Sequence, residues 1–261
     1  MGIEVDLRRR MEGHEIEDME REINLALHYI SHAYNAKEAY RQIIKAIEED
    51  IPIPYAIGYT LVKGLPITIS NKVLHPGPET VTLVEASIAY INSSRARNVL
   101  DLCTGSGAVA IAISKFCNAE VTATDISIEA LVVAKENAKR NKTDVEFLHG
   151  DLLQPVRERK FDCIVTNPPY VKTDAILALP KFVKDFAPKI AIDGGIDGLS
   201  FHKQILEEVG EYLTSGGSLF LECENDQDKE IELLIAINGW RIEETYPNRF
   251  GKIRGFRLRK V

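Results

Sequence analysis

The sequence predicts an α/β fold in which helices cover a mostly parallel sheet. From residue 98 onward, short apolar runs typical of buried strands alternate with helical patterns, and this alternation indicates a parallel sheet. The first predicted strand leads straight into a glycine loop, and the fourth ends at two consecutive prolines. The sequence shows no internal repeat and no low-complexity segment.

The individual elements follow from apolar periodicity and from the residues that begin and end each run. Strands are predicted at 99–102, 120–124, 145–148, 161–166, 218–222, 241–246 and 254–259. Helices are predicted at 79–91, 107–116, 127–140, 199–213 and 226–237. Pro78 suits the first turn of a helix, and Ser127 is an expected N-cap residue.

We expect three parts along the chain: a helical cap at 1–50, a linker with a β-hairpin at 51–77, and the main domain at 78–261. Two runs in the cap have apolar residues at helical spacing, namely Ile16, Met19, Ile23, Leu27, Ile30 and Tyr34, and then Ala36, Tyr40, Ile43 and Ile47. Two prolines break the second helix, and extended runs at 56–62 and 65–73 then flank a Lys63-Gly64 turn.

Charge and composition limit the classes of partner. The 261 residues carry a formal net charge of −7, which argues against a general nucleic-acid coat because phosphate binding needs a basic surface. Small basic clusters at 8–10 and 254–260 are interpreted as solvated faces. The four cysteines lack disulfide or zinc spacing and are interpreted as small core residues. With neither a signal-peptide core nor an apolar run of membrane length, a cytoplasmic protein is the expectation.

The glycine loop after the first strand predicts an adenosine cofactor. Gly105 and Gly107 allow a sharp turn and the close approach of a ligand to the backbone. Asp125 ends the next strand 18 residues after Gly107, about the spacing at which a carboxylate grips two ribose hydroxyls. Because Gly105, Gly107 and Ala110 also fit G-x-G-x-x-A, a nicotinamide cofactor and a plain turn without ligand stay open as alternatives.

Two further acids bear on which cofactor binds. Asp101 precedes the loop and could hold the amino-acid part of a cofactor, either through its ammonium group or through the loop backbone. The Gly150-Asp151-Leu152 segment closes the third strand, where an acid or its neighbour could reach the adenine. S-adenosylmethionine has no pyrophosphate, so it needs no anion site at the helix N-terminus.

The most specific motif is Asn167-Pro168-Pro169-Tyr170, directly after the fourth strand. The prolines end the strand and lock the loop. The side-chain carbonyl of Asn167 and the backbone carbonyl of Pro168 can accept the two hydrogens of one NH2 group, and Tyr170 offers an aromatic face. An amide or aromatic amine nitrogen held in this way points its lone pair at a methyl donor. The motif therefore predicts N-methyl transfer by positioning, without a strong base, and a rigid surface turn is the alternative.

Three weaker features have uncertain roles. His28 and His32 have metal spacing but no third ligand nearby in the sequence, so they are interpreted as surface or packing residues. His75, beside the proline-rich loop, either lines a substrate channel or is incidental. The glycine-dense segment 193–198 is either a mobile loop over the site or a turn.

Together these motifs make the chain resemble the HemK/PrmC family of protein-glutamine N5-methyltransferases over nearly its whole length. The resemblance rests on the residues at 54–58, 76–80, 101–107, 167–170 and 194–199. It implies a Rossmann-like, seven-stranded class I fold that uses S-adenosylmethionine, preceded by a small helical domain and a connecting β-hairpin. The implied substrate is the glutamine of the Gly-Gly-Gln motif in a class I peptide chain release factor, docked with help from the N-terminal helices.

The resemblance also implies residue roles. The catalytic residues would be Asn167, Pro168, Pro169 and Tyr170. The cofactor would be bound by Asp101, Cys103, Thr104, Gly105, Ser106, Gly107, Asp125, Asp151, Leu152 and Asn167, with Asp125 at the ribose and Asp151 and Leu152 near the adenine. The substrate would be bound by Pro78, Glu79, Thr80, Asn167, Pro168 and Tyr170. Three residues depart from the usual family pattern: Gly77 replaces an arginine, Val81 a glutamate and Cys103 a glycine.

Other functions compete with this one. An enzyme that methylates an exocyclic amine of RNA or DNA shares the Asn-Pro-Pro-Tyr motif and predicts a basic channel, which the net charge of −7 opposes. A nicotinamide-dependent oxidoreductase leaves residues 167–170 unexplained. A non-catalytic binding module has no need of an intact Asn167.

Overall fold

The computed structural model describes residues 2–14, 18–179 and 181–261. Its α-helices are α1 (Ile3–Met11), α2 (Met19–His32), α3 (Ala36–Glu48), α4 (Ile53–Ile57), α5 (Pro78–Ser94), α6 (Ala108–Phe116), α7 (Ile128–Asn141), α8 (Lys181–Phe186), α9 (Ser200–Glu208) and α10 (Asp228–Ile237). Its strands are β1 (Tyr59–Val62), β2 (Leu65–Thr68), β3 (Asn98–Leu102), β4 (Glu120–Asp125), β5 (Glu146–His149), β6 (Phe161–Thr166), β7 (Leu213–Glu222), β8 (Trp240–Pro247) and β9 (Ile253–Lys260).

Seven strands form the main sheet, in the order β5-β4-β3-β6-β7-β9-β8. Strands β3 to β7 run parallel, whereas β9 is antiparallel to β7 and to β8. The predicted α/β class is therefore confirmed. The bounds of six predicted strands are right to within one residue, but β7 begins at Leu213 instead of 218, and the helix predicted to reach 213 ends at Glu208. A bulge opposite Phe161 lets the early part of β7 pair although it contains two glycines.

Helices cover both faces of this sheet because neighbouring strand residues point to opposite sides. On β3, for example, Val99 belongs to an apolar cluster with α5 and α6, and Leu100 to a second cluster with α9 and α10. Ser127 caps α7 as predicted, since its hydroxyl oxygen accepts a hydrogen bond from the Ala130 N–H at 3.1 Å. Because β3, β4 and β6 run parallel, their carboxyl ends lie together at one edge of the sheet.

The N-terminal segment contains more helices than predicted. Helices α2 and α3 are confirmed, with Asp18 and Asn35 as N-caps, although Ile16 of the first predicted pattern lies outside the described residues. Helix α1 was missed because it is short and buries only Leu7 and Met11. These helices share an apolar cluster of their own, and the proposed division into a cap, a linker and a main domain stays a prediction.

The predicted hairpin exists but is shorter than expected. Residues 53–57 form α4, since a proline in the first turn is compatible with a helix, and Gly58 ends that helix in a left-handed conformation with φ 79°. Lys63 and Gly64 both have positive φ, as the favoured two-residue hairpin turn requires. The side chain of Asn137 on α7 bonds both backbone groups of Thr68, which attaches the hairpin to the main sheet layer.

Candidate functional site

The glycine loop follows β3 and is held from below by Asp101. This carboxylate is 1% exposed and accepts hydrogen bonds from the Thr104 hydroxyl at 2.6 Å and from the Ala110 N–H at 3.0 Å. Asp101 thus bonds Thr104 of the loop and Ala110 of α6, and it also lines the cavity beside the loop, so both roles raised by the sequence stay predictions. Burial raises the pKa of Asp101 to about 7.

Backbone conformation explains the residue types in this loop. Gly105 and Gly107 have positive φ, and a Cβ on Gly107 would lie 3.0 Å from the Ala134 Cβ. Cys103 also adopts a left-handed conformation, with φ 65°. That conformation favours glycine, so it accounts for the glycine usual at this position in the family that the sequence resembles, and it shows that cysteine is accommodated under some strain.

Asp125, at the end of β4, and Asp151, shortly after β5, lie beside the same loop. One oxygen of Asp125 accepts from the Gly105 N–H at 2.7 Å, and the other accepts from the Ser127 N–H at 2.9 Å. Burial raises the pKa of Asp125. Leu152 has a positive φ of 42° and is buried beside Asp151. A carboxylate can accept about four hydrogen bonds, so Asp125 keeps room for ribose hydroxyls.

A cavity lies between these elements, and nine of the ten residues predicted to bind the cofactor line it: Asp101, Cys103, Thr104, Gly105, Ser106, Asp125, Asp151, Leu152 and Asn167. The exception is Gly107, which caps α6 beneath the loop. A cavity edged by a flat backbone loop and by carboxylates suits the adenosine and amino-acid parts of S-adenosylmethionine.

The Asn-Pro-Pro-Tyr loop follows β6 and is held by hydrogen bonds and by the burial of its prolines. The Thr166 hydroxyl donates to the Leu102 carbonyl at 2.8 Å, and Pro168 and Pro169 are buried. The Gln227 side chain donates to the Tyr170 carbonyl at 3.0 Å. Segment 193–198 backs the same loop, and the structure supports its interpretation as a turn. The Gly194 N–H donates to the Val171 carbonyl at 2.8 Å, and a Cβ on Gly194 would lie 2.7 Å from the Tyr170 Cα.

A second cavity, of about 910 Å³, lies between the N-terminal helices and the main domain. All six residues predicted to bind the substrate line it: Pro78, Glu79, Thr80, Asn167, Pro168 and Tyr170. Gly77 and His75 also line this cavity, which supports a channel position for His75, and burial lowers the pKa of that imidazole to about 3. Asn167 and Thr80 line both cavities, so the two cavities meet at the Asn167 side chain.

Asn167 is only partly satisfied by its surroundings. Its Nδ2 donates to the Thr80 hydroxyl oxygen at 3.1 Å. Its Oδ1 is buried and has no hydrogen-bond partner among the described residues. Because a buried acceptor without a donor is costly, this oxygen is a candidate contact for a ligand N–H.

Two residues of the site were missed by the sequence analysis. Glu222, at the end of β7, is 2% exposed and accepts from the Thr80 hydroxyl at 2.9 Å. Arg254, on β9, is 7% exposed and donates to the Tyr170 hydroxyl at 3.2 Å and to the Cys223 carbonyl at 2.7 Å. The interpretation of the second basic cluster as a solvated face is therefore wrong for Arg254. A carboxylate at the end of a predicted buried strand was the available signal for Glu222.

The remaining sequence interpretations concern surface arginines, two histidines, the cysteines and the absence of a membrane span among the helices described. Arg8, Arg9 and Arg10 form ion pairs at the surface, as expected. The rings of His28 and His32 stack with centroids 4.2 Å apart, and within residues 2–14, 18–179 and 181–261 no group of three potential ligands could hold a metal ion. Of the four cysteines, two are fully buried and two partly buried. None of the helices described is both long and apolar enough for a membrane span.

The sheet order, the glycine loop after β3 and the Asn-Pro-Pro-Tyr loop after β6 define the chain as a methyltransferase with the class I fold. A family model described as "Methyltransferase small domain" matches residues 82–196. The chain is 38% identical over 215 residues to a release factor glutamine methyltransferase from Thermodesulfovibrio yellowstonii, a match that covers 80% of this chain and 76% of that relative. The chain belongs to the release factor glutamine methyltransferase family.

A further relative agrees with this assignment, and solved structures share the fold. A release factor glutamine methyltransferase from Clostridium acetobutylicum is 37% identical over 216 residues, covering 81% of this chain and 76% of the relative. The crystal structure of a ribosomal protein L11 methylase from Lactobacillus delbrueckii subsp. bulgaricus has a TM-score of 0.54 and 24% identity, covering 72% of this chain and 81% of that one. The crystal structure of a methyltransferase from Pyrococcus furiosus has the same TM-score and identity, and the match covers 76% of this chain and 89% of that one. Both structures show a shared fold.

Proposed function

We propose that this enzyme transfers a methyl group from S-adenosylmethionine to the side-chain amide nitrogen of the glutamine in the Gly-Gly-Gln motif of a class I peptide chain release factor, in the cytoplasm. The observation that carries the proposal is the buried, unpartnered Oδ1 of Asn167 at the junction of two cavities. The names of the relatives from T. yellowstonii and C. acetobutylicum support the choice of acceptor.

The cofactor would lie in the cavity of the glycine loop. Asp125 would accept the ribose hydroxyls, Asp151 and Leu152 would contact the adenine region, and the loop from Thr104 to Gly107 would hold the methionine part. When bound, S-adenosylmethionine supplies an electrophilic methyl group on a sulfonium. The protein therefore has to bring the acceptor nitrogen into line with that methyl group.

Asn167 and Pro168 would hold the acceptor. The Asn167 Oδ1 and the Pro168 carbonyl would each accept one N–H of the glutamine amide, and Tyr170 would contact its planar face. An amide nitrogen is a weak nucleophile because its lone pair is delocalised. Acceptors fixed on both hydrogens favour the pyramidal, positively charged nitrogen that forms during transfer, so positioning and electrostatics replace a strong base.

We call the cavity of about 910 Å³ the acceptor cavity, because the methyl acceptor would bind in it. Its charge favours a protein over a nucleic acid. Apart from Glu222, whose pKa is raised by burial, five carboxylate side chains line it, namely Asp18, Glu22, Asp50, Glu79 and Glu224, against two guanidinium groups, on Arg21 and Arg254. A phosphate backbone would meet net repulsion there, since nucleic-acid binding depends on neutralising phosphates with Lys and Arg.

The test is the transfer of labelled methyl from S-adenosylmethionine to a purified release factor of the source organism, with peptide mapping of the product. Wild type should label the Gly-Gly-Gln glutamine. Asn167→Ala should lower the rate by at least about a hundredfold while still binding the cofactor. Asn118→Ala, an exposed asparagine after α6, is the matched control and should keep the wild-type rate. Absence of label on the factor, with cofactor binding intact, would overturn the assignment of the acceptor, and RNA would be tried next.

A further inference from the structure

A chain of buried hydrogen bonds leads from Asn167 to the far side of the acceptor cavity. Asn167 Nδ2 donates to Thr80 Oγ1 at 3.1 Å, and Thr80 Oγ1 donates to Glu222 Oε2 at 2.9 Å. On the other side, the Tyr170 hydroxyl donates to Glu222 Oε1 at 3.5 Å, and Arg254 donates to that hydroxyl oxygen at 3.2 Å. The three contacts made by Thr80 and Glu222 link α5, β7 and the loop after β6.

The direction of these bonds is set by the groups at one end. A guanidinium only donates, so the Tyr170 oxygen accepts from Arg254 and its proton turns to Glu222. An ionised carboxylate only accepts, so the Thr80 proton must also turn to Glu222. The Thr80 oxygen can then only accept from Asn167, which therefore presents its NH2 group to Thr80 and leaves Oδ1 facing away.

We propose that Glu222 and Thr80 are positioning residues, which hold the Asn167 amide in the one orientation that presents its carbonyl oxygen to the acceptor N–H. This inference rests on the proposed function of Asn167. The two orientations of an asparagine amide have nearly the same shape, so packing alone cannot choose between them. A carboxylate at the end of the chain makes the choice, because the opposite orientation would place Asn167 Oδ1 against the Thr80 oxygen.

Protonation of Glu222 should reverse this choice. A proton on Oε2 makes Glu222 a donor to Thr80, whose own proton then turns to Asn167 and requires the amide to present Oδ1. Burial raises the pKa of Glu222 to about 8, against the opposing effects of the Thr80 hydrogen bond and of Arg254, while Glu79 and Glu224 add to the rise. The other groups facing Glu222 are the Tyr170 hydroxyl and, on its backbone carbonyl, the His202 imidazole.

The kinetic test compares two substitutions of Thr80 in the methyl-transfer assay. Thr80→Val keeps the shape but removes the hydroxyl, and it should lower kcat by about tenfold to a hundredfold, with the affinity for S-adenosylmethionine within about threefold of wild type. Thr80→Ser restores the hydroxyl and should recover most of that loss. Thr82→Val, at an exposed position of the same helix, is the matched control and should keep the wild-type kcat.

The pH profile separates positioning from a general structural effect. Wild-type kcat should rise with pH through a pKa of about 8 as Glu222 ionises. In Thr80→Val the link is cut, so this rise should be absent. Glu222→Gln, which has nearly the same shape but can donate to Thr80, should have a low kcat and no such rise.

A second measurement is independent of the acceptor. With ¹⁵N-labelled asparagine, the Asn167 side-chain amide signals are assigned by their loss in Asn167→Ala. At a pH above the pKa of Glu222, one of the two protons of the wild-type enzyme should be protected from exchange with solvent, and Thr80→Val should abolish that protection. Equal protection and equal kcat in wild type and Thr80→Val would overturn the positioning role. If wild type fails to label the release factor but the protection depends on Thr80 as described, only the proposed acceptor fails.

Discussion

Asn137 joins the hairpin, the glycine loop and α7, and its replacement should destabilise the protein strongly. The side chain is 1% exposed. Its Oδ1 accepts from the Thr68 N–H at 2.8 Å, and its Nδ2 donates to the Thr68 carbonyl at 3.0 Å and to the Ser106 carbonyl at 2.9 Å. Three lost hydrogen bonds at about 1 kcal/mol each, plus the cost of a buried donor left unpaired, give about 3–5 kcal/mol for Asn137→Ala. That is a large part of the free energy of unfolding of a typical domain.

Urea unfolding followed by circular dichroism measures this loss. Asn137→Asp has the same shape and keeps the acceptor for the Thr68 N–H, but it places a carboxylate against two carbonyl oxygens, so it should lose at least as much stability. Lys135→Ala, at an exposed position of the same helix, should change the free energy of unfolding by less than about 0.5 kcal/mol. Because Ser106 lies in the glycine loop, Asn137→Ala should also weaken cofactor binding. A loss below about 1 kcal/mol for Asn137→Ala, or an equal loss for Lys135→Ala, would refute the reasoning.

Three further predictions follow from strain, close contact and burial. Cys103→Gly should leave the free energy of unfolding within about 1 kcal/mol of wild type, because glycine adopts the φ of 65° freely. Cys103→Val should lower the free energy of unfolding by more than Cys103→Gly does, because β-branched residues resist this φ, and equal effects of the two substitutions would contradict the reasoning. Gly198→Ala should lower the methyl-transfer rate at least about tenfold, since its Cβ would lie 2.4 Å from the Tyr170 carbonyl oxygen, whereas Gly216→Ala has a similar φ of 81° but open space and should cost stability only. As pH rises from about 4 to about 7, the ligand-free protein should lose stability relative to Asp101→Asn, because the folded Asp101 keeps its proton up to a pKa of about 7 whereas the unfolded one releases it near its ordinary pKa of 3.8. Parallel pH profiles of the two proteins would count against the raised pKa.

Local patterns were enough to predict the sheet and both loops. Strand β6 was predicted with its observed bounds, because an apolar run of β-branched and aromatic residues ends at prolines that cannot continue a strand. The carboxyl ends of parallel strands lie at one edge, so the motifs after β3, β4 and β6 had to come together. Helix α4 was missed because prolines were taken only as helix breakers, although Pro54 occupies the first turn.

The support of Asn167 could not be predicted, because it depends on pairing across the fold. Thr80 and Glu222 are 142 positions apart in the chain, and no local pattern relates them. Glu222 follows an apolar strand, and Arg254 stands among other basic residues, which is typical of a surface. Only the neighbouring positions of β7 and β9 in the sheet bring Arg254 to the Tyr170 ring and Glu222 to the Tyr170 hydroxyl.

The meeting of two separate cavities at Asn167 has a kinetic consequence. Each cavity has its own lining, and they overlap at a few residues, among them Thr80 and Asn167. With donor and acceptor placed as proposed, the methyl group passes from one cavity to the other beside Asn167 while the rest of each molecule stays on its own side. We therefore expect no fixed order of binding and release, so that fresh donor can enter while a protein acceptor remains docked.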